Sequence, residues 1–263
     1  MASPLTFNLD GQRALVTGGA QGIGLAITQA LVAHGARVHI CGTNAAALTE
    51  ARQSIAGIST SVADITNESQ VAAMFAEIEQ QMGGLDILVN NAGIAGPTAA
   101  IEDITLDDWN HCLDVNLTGT FLCTRGAVPG MKQRRHGSIV NIGSVASRLA
   151  FPRRSPYSAT KYGVIGLTET WATELGPHQI RVNAVLPGIV EGPRQDRVLN
   201  ASAEAAGVSM EEMRQRVLQR VSLRSMVSAD DIAAAVVFLC SGAGASITGQ
   251  SLPVDGNVET LVR

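Results

Sequence analysis

The sequence predicts an α/β fold: one domain over residues 1–263, with a doubly wound parallel sheet of about seven strands and helices on both faces. Three observations carry this. Short apolar runs alternate with amphipathic helical stretches from end to end, the pattern of strand and crossover helix. The strand-like runs are too apolar to face water on either side, as the strands of a covered parallel sheet are. No linker, internal repeat or shift in composition divides the chain.

The runs that predict strands are Arg13–Thr17, Arg37–Cys41, Ser59–Val62, Leu85–Asn90, Ser138–Ile142, Arg181–Leu186 and Gln250–Val254. Helical stretches lie between them, over Ile23–Ala33, Ala45–Ala56, Glu68–Met82, Leu106–Val128, Tyr157–Leu175 and Ala229–Leu239. Thr105 and Ser228 each precede an aspartate by three residues, which predicts two capping boxes, and Asn67 predicts a third cap.

The first strand leads directly into Thr17, Gly18, Gly19, Ala20, Gln21, Gly22, Ile23 and Gly24, and then a helix. Glycines there let the backbone turn tightly and approach a pyrophosphate resting on the positive end of the helix, so the segment predicts dinucleotide binding. The second strand ends at Cys41, Gly42, Thr43 and Asn44, where an acidic side chain selects NAD and a basic one NADP. Neither signature is present, and Gln21 stands in the loop where a basic residue would have helped, so both coenzymes stay open. Asp64, after the third strand, fits two readings equally: an acceptor for an adenine amino group, or a turn residue before the next helix. Asn90, Asn91, Ala92 and Gly93 close the fourth strand at the carboxyl edge of the sheet, where open α/β folds bind ligands. Asn116 interrupts an apolar helical stretch and is either structural or part of a polar relay, because a buried amide needs partners. Ser144 follows the fifth strand at the same edge.

Tyr157 and Lys161 lie four residues apart at the start of a helix, which stacks them on one face. A free phenol ionises near pH 10 and is a poor acid or base at neutrality, whereas a nearby cation favours the phenolate. The chain has only two lysines, Lys132 and Lys161, among its 19 basic residues, which singles out a lysine at this spacing.

Composition limits the functions available. A net charge of -4 and a pI near 5.7 give no electrostatic reason to expect nucleic acid or an anionic membrane as partner. Residues Met1 to Arg13 hold no apolar core of signal-peptide type, and the longest apolar run, Ile232–Cys240, is about half a membrane span. A cytoplasmic protein is expected. Cys41, Cys112, Cys123 and Cys240 are scattered and read as small buried hydrophobes, and the five histidines are equally dispersed, so no metal site is expected.

Taken together, Thr17 to Gly24, Asn90 to Gly93, Asn116, Ser144 and the Tyr157 to Lys161 unit resemble, in order and spacing, the short-chain dehydrogenase/reductase family. Pro187–Gly188 after the sixth strand, and the segments Ile247–Gln250 and Val254–Gly256, resemble it too, so the likeness covers nearly the whole chain. It implies a Rossmann-type NAD(P)-binding domain and an oxidoreductase acting on a secondary alcohol or its ketone. In the family's mechanism Tyr157 would exchange a proton with the substrate, Ser144 would bond the substrate oxygen, Lys161 would bind the nicotinamide ribose and favour the phenolate, and Asn116 would hold a water linking Lys161 to solvent. The resemblance also implies coenzyme contacts from Gly18, Gln21, Gly22, Ile23, Gly24, Thr43, Asp64, Ile65, Asn91 and Val190. Gly192 departs from a common threonine, and Asn257 from a common glycine. A non-redox lyase or dehalogenase on the same scaffold, and a binding protein without turnover, remain alternatives.

Residues 191–226 exceed what a simple crossover needs and predict a lid over the substrate, with Met213, Val217 and Val221 forming one helical stripe. Arg194 and Arg197 at its entrance, and Arg148, Arg153 and Arg154 before Tyr157, either hold an anionic group on the substrate or are solvated surface arginines. Ala159, Gly163, Gly166, Thr170 and Thr173 give the Tyr157 helix a face of small residues. With the resemblance, this predicts a homo-oligomer, a tetramer in the first instance.

Overall fold

Seven short strands pair in parallel into one sheet, whose central strands carry buried side chains toward both faces. The structure is a computed structural model that describes residues 7–259, with every side chain in that span except those of Arg194, Ala201 and Ala205. The strands are β1 (Arg13–Thr17), β2 (Arg37–Gly42), β3 (Ser59–Val62), β4 (Ile87–Asn90), β5 (Gly137–Ile142), β6 (Ile180–Pro187) and β7 (Ser251–Val254). Their order in the sheet is β3-β2-β1-β4-β5-β6-β7. The winding direction reverses between β1 and β4, which opens a crevice at their carboxyl ends.

The described residues form nine α-helices: α1 (Gly22–Ala33), α2 (Ala45–Ser54), α3 (Glu68–Met82), α4 (Leu106–Leu113), α5 (Gly119–Arg134), α6 (Ser155–Leu175), α7 (Pro193–Ala206), α8 (Met210–Leu218) and α9 (Ala229–Cys240). Alternate strand residues feed two cores. Ala14, Val16, Val38 and Ile40 pack on one face with Ile27, Leu31, Leu48, Val236 and Leu239 from α1, α2 and α9. Leu15, Leu88, Ile139 and Val182 pack on the other with Met74, Ile78, Leu122, Met131 and Leu175 from α3, α5 and α6. The four cysteines are buried free thiols, as the sequence predicts.

Three expectations need correction. The stretch predicted as one helix over Leu106–Val128 is broken by a π-helical turn at Asp114–Thr118 and continues past Pro129 to Arg134. Pro129 is tolerated because it is exposed, as is Arg125, whose carbonyl loses its partner. Val221 is not on a helix with Met213 and Val217; it lies beyond α8, fully buried, in an antiparallel bridge to Val258. Ser228 and Asp231 form the expected reciprocal capping box, but Thr105 only caps α4 and passes its own hydroxyl proton to the Asp108 carboxylate.

Candidate functional site

The crevice between β1 and β4 is shaped by glycines in left-handed or closely packed positions. Gly18 turns the chain at φ 63°, and its N–H donates to the Cys41 carbonyl at 2.8 Å. A Cβ on Gly24 would come within 2.1 Å of the Gly18 carbonyl oxygen, so α1 starts hard against the loop only because that atom is missing. Gly22 begins α1 at φ 53°. The first-turn amides of α1 point into this cradle, which fits a pyrophosphate.

Asn91 braces the loop from the neighbouring strand. Its side-chain amide donates to the carbonyls of Thr17 at 2.9 Å and Gly18 at 3.2 Å, while the N–H groups of Asn91 and Ala92 both donate to the Thr17 hydroxyl at 3.0 Å. Behind it a buried polar line crosses the sheet. The Asn90 amide donates to Thr124 and Asn141, and Asn141 donates to Thr168. Nothing in the spacing of these residues marks that line, which links four elements, β4, α5, β5 and α6.

At the end of β2, where the sequence places the adenosine, Asn44 accepts from the Ala47 N–H and thereby caps α2. Thr43 and Gln21 are exposed, and a Cβ on Gly42 would meet nothing within 4 Å. Asp64 makes the turn: its Oδ1 accepts from the Thr66 N–H at 2.9 Å and the Thr66 hydroxyl at 2.8 Å. Ile65 is buried and fills the space left by Gly119 at the start of α5. Ile23 is partly buried against the core, and Val190 pairs with Val227 in a parallel bridge.

The predicted catalytic residues converge on the β4 and β5 ends. Lys161 is 6% exposed, donates to the Ile142 carbonyl at 2.8 Å and lies 5.7 Å from the Tyr157 ring centroid. A Cβ on Gly93 would lie 3.1 Å from the Asn116 Oδ1 and 3.7 Å from the Lys161 Nζ, which places all three around one point. Asn116 sits in the π-helical turn and is 2% exposed. Its Oδ1 accepts from the Ile94 N–H at 2.8 Å, and its Nδ2 donates to the Ile94 carbonyl and the Thr160 hydroxyl, each at 3.0 Å. Cys112 completes the cluster, 3.4 Å from that amide, and burial pushes its thiol pKa up. Ser144 accepts from the Ala146 N–H at 3.1 Å and caps a 3-10 turn, Val145–Ser147, packed against α6. Accepting leaves its hydroxyl proton as a donor.

The two departures from the family pattern have local causes. Asn257 adopts φ 61°, a left-handed conformation that asparagine tolerates better than most residues in place of glycine, and its amide donates to Ser222 at 2.6 Å. Gly192 caps α7 at φ 134°, where a threonine would be strained. The side chain of Arg194 lies outside the described residues. Among the described residues no group of three or more His, Cys, Asp or Glu could hold a metal ion, and no helix is long and apolar enough to cross a membrane.

Comparison with known proteins gives the family and agrees with the fold. The family model described as enoyl-(acyl carrier protein) reductase matches residues 18–258. The chain is 37% identical to the D-beta-hydroxybutyrate dehydrogenase of Cupriavidus necator, across 94% of this chain and 98% of that one. Among solved structures it superposes on actinorhodin polyketide ketoreductase with NADPH, at a TM-score of 0.89 and 34% identity over 94% of this chain and 97% of that one. It superposes also on NAD+-bound xylitol dehydrogenase, at a TM-score of 0.90 and 30% identity over 96% of this chain and 100% of that one. The chain belongs to the short-chain dehydrogenase/reductase family. It is an NAD(P)-dependent oxidoreductase acting on hydroxyl and keto groups.

Proposed function

We propose that Tyr157 is the proton carrier of this oxidoreductase, with Lys161 and Ser144 as its partners, on a secondary alcohol or ketone held over the β4 and β5 ends. The observation that carries the assignment is the Lys161 ammonium, buried, anchored on the Ile142 carbonyl and 5.7 Å from the Tyr157 ring. Charge interactions strengthen in such a low-dielectric site, so the ammonium is placed to steady negative charge developing on the Tyr157 oxygen as the proton moves.

In the oxidative direction the Tyr157 Oη takes the carbinol proton, while the Ser144 hydroxyl donates to the same substrate oxygen and steadies its developing charge. The nicotinamide, when bound, supplies the hydride chemistry. Lys161 would hold the nicotinamide ribose of the bound coenzyme, and in reduction the proton returns from Tyr157 to the carbonyl oxygen. Asn116 is a positioning residue: its side chain ties Ile94 to α6 through Thr160, which fixes the floor under Lys161. With both ends of that amide engaged, a water linking Lys161 to solvent would be held by backbone carbonyls of the π-helical turn, where such groups come free.

Gly18, Gln21, Gly22, Ile23 and Gly24 would hold the pyrophosphate, Thr43 the adenosine ribose, the Asp64 Oδ2 and Ile65 the adenine, and Asn91 and Val190 the nicotinamide side. The whole chain acts as one domain, with α7 and α8 as its lid. The hydroxybutyrate dehydrogenase relative is named for a hydroxy acid, which supports a substrate carrying negative charge. Buried free thiols support a cytoplasmic location. A homotetramer is supported by the exposed face of α6, where Ala159, Gly166, Thr170 and Thr173 are open and Gly163 packs on Leu117 of the same chain.

The test is Tyr157→Phe. The variant should bind NADH or NADPH as the parent does, read by nicotinamide fluorescence, and lose turnover by about a thousandfold. Retained turnover would remove Tyr157 from the chemistry.

A further inference from the structure

Arg154 precedes α6 by one residue and Tyr157 by three, and its guanidinium is already placed. The guanidinium carbon lies 5.6 Å from the Tyr157 ring centroid and 5.4 Å from that of Phe151. Those two rings meet edge to face, 6.5 Å between centroids at 76°. An Arg154 N–H donates to the Thr98 hydroxyl. One residue away the backbone repeats the link, the Ala99 N–H donating to the Arg153 carbonyl at 3.0 Å. The loop after β4 and the loop before α6 therefore close on each other at Arg154. Two cations stand within 6 Å of the Tyr157 ring centroid, and Lys161 is turned to the Ile142 carbonyl.

We propose that Arg154 determines substrate class by recognising a carboxylate close to the reacting carbon, so that the preferred substrates are short hydroxy acids and their oxo forms. This rests on the reading of Tyr157 as proton carrier. A guanidinium fork meets a carboxylate with two parallel hydrogen bonds, a match that an ammonium lacks. Two rings and a hydroxyl hold this fork in place before any ligand arrives, so little side-chain freedom is lost on binding. Arg154 is half-buried, which strengthens the pairing relative to a solvated arginine. Its closeness to the Tyr157 ring limits the carbon chain between the reacting oxygen and the charge to a few atoms.

Binding rather than turnover tests this, in the Tyr157→Phe protein, which keeps the ring under Arg154, saturated with its reduced coenzyme. Acetoacetate and 4-oxopentanoate are titrated against their methyl esters by nicotinamide fluorescence. At least one acid should bind about tenfold or more tighter than its ester, and adding Arg154→Gln should abolish that preference while leaving ester binding within about threefold. An acid bound no better than its ester, neither acid bound, or a preference that survives Arg154→Gln overturns the proposal. Should Arg154→Gln lose coenzyme binding through misfolding, Arg154→Lys decides: charge without the fork should weaken the acid preference several-fold, and an unchanged preference counts against Arg154. The Tyr157 assignment fails separately, by turnover persisting in Tyr157→Phe.

Discussion

The Lys161 ammonium and the Tyr157 ring lie 5.7 Å apart, with the ammonium fixed from behind by the Ile142 carbonyl at 2.8 Å. The position of the charge is therefore set by the end of β5 rather than by the lysine's own rotamers. A long flexible cation on a helix surface would place its charge loosely; here the strand end, Gly93 and Asn116 define the space it occupies.

Lys161→Met should lower turnover by about a hundredfold or more and weaken coenzyme binding, since on the proposed assignment it removes both a ribose ligand and the charge beside the phenol. Lys161→Arg should not restore activity: the ammonium is buried and closed off at its end by the Ile142 carbonyl at 2.8 Å, a site with no place for a longer, planar fork. Steady-state kinetics on the two variants check this, and an arginine variant near parental turnover would refute the steric part.

Coenzyme preference should be weak and easily moved. Asn44 is engaged in capping α2, Thr43 is exposed, and Gly42 leaves open space, so the adenosine ribose meets no fixed charge among these residues. Thr43→Arg should tighten NADPH by about tenfold and leave NADH nearly unchanged, whereas Thr43→Asp should weaken NADPH by a similar factor through repulsion of the 2′-phosphate. Fluorescence titration of each variant with both coenzymes reads the effect directly; identical shifts for the two coenzymes would place the ribose elsewhere.

Much of this was legible in the sequence because it rests on local rules. The strands β1 and β3 and the helix α3 fall on their predicted bounds, where apolar runs end in glycine, aspartate or a capping asparagine. The glycine loop and the Tyr157 to Lys161 spacing are likewise contained within a few residues. What the sequence hid depends on partners far apart in the chain. Asn116 could be seen to need partners, but that they are Ile94 and Thr160 follows only from the crossing of α6 over the β4 loop. The π-helical turn at Asp114–Thr118 changes the register by one residue without changing composition, so an unbroken helix was the natural expectation. Arg154 was one of five arginines near the cleft; only its stacking on Phe151 and Tyr157 sets it apart.

The proposed assembly through α6 has a clean test, because Gly166 is exposed and a Cβ there would meet nothing within 4 Å. Tyr162, half exposed on the same helix, and Phe121 on α5 leave apolar area open to solvent beside it. Gly166→Arg should leave the fold of one chain intact, shifting Tm by only a few degrees, and split the oligomer when mass is read by light scattering. An unchanged mass would move the interface to another face.

Acid should destabilise the protein earlier than its surface carboxylates require, through His39. This imidazole is fully buried between β2 and β3, with its Nδ1 2.8 Å from the Ser59 hydroxyl and its Nε2 2.8 Å from the Ser61 hydroxyl, which in turn donates to Glu77. Since Ser61 gives its proton to the carboxylate, it accepts from Nε2–H, and Nδ1 must accept from Ser59; the relay holds only for a neutral ring. Burial lowers the His39 pKa from 6.5 to about 4, against a smaller upward pull from Glu77. Between those values the unfolded chain binds a proton that the folded one refuses, so stability is complete above pH 6.5 and falls as pH drops toward 4. The full effect is about 3 kcal/mol, at about 1.4 kcal/mol per pH unit. Urea unfolding from pH 7 to 4 should show this slope, and His39→Gln should flatten it by up to one proton while lowering stability at pH 7. A slope unchanged in the variant would assign the acid sensitivity to other groups, Asp86 first among them, since the bonds from Arg13 hold its carboxyl below the usual range even though burial alone would raise it.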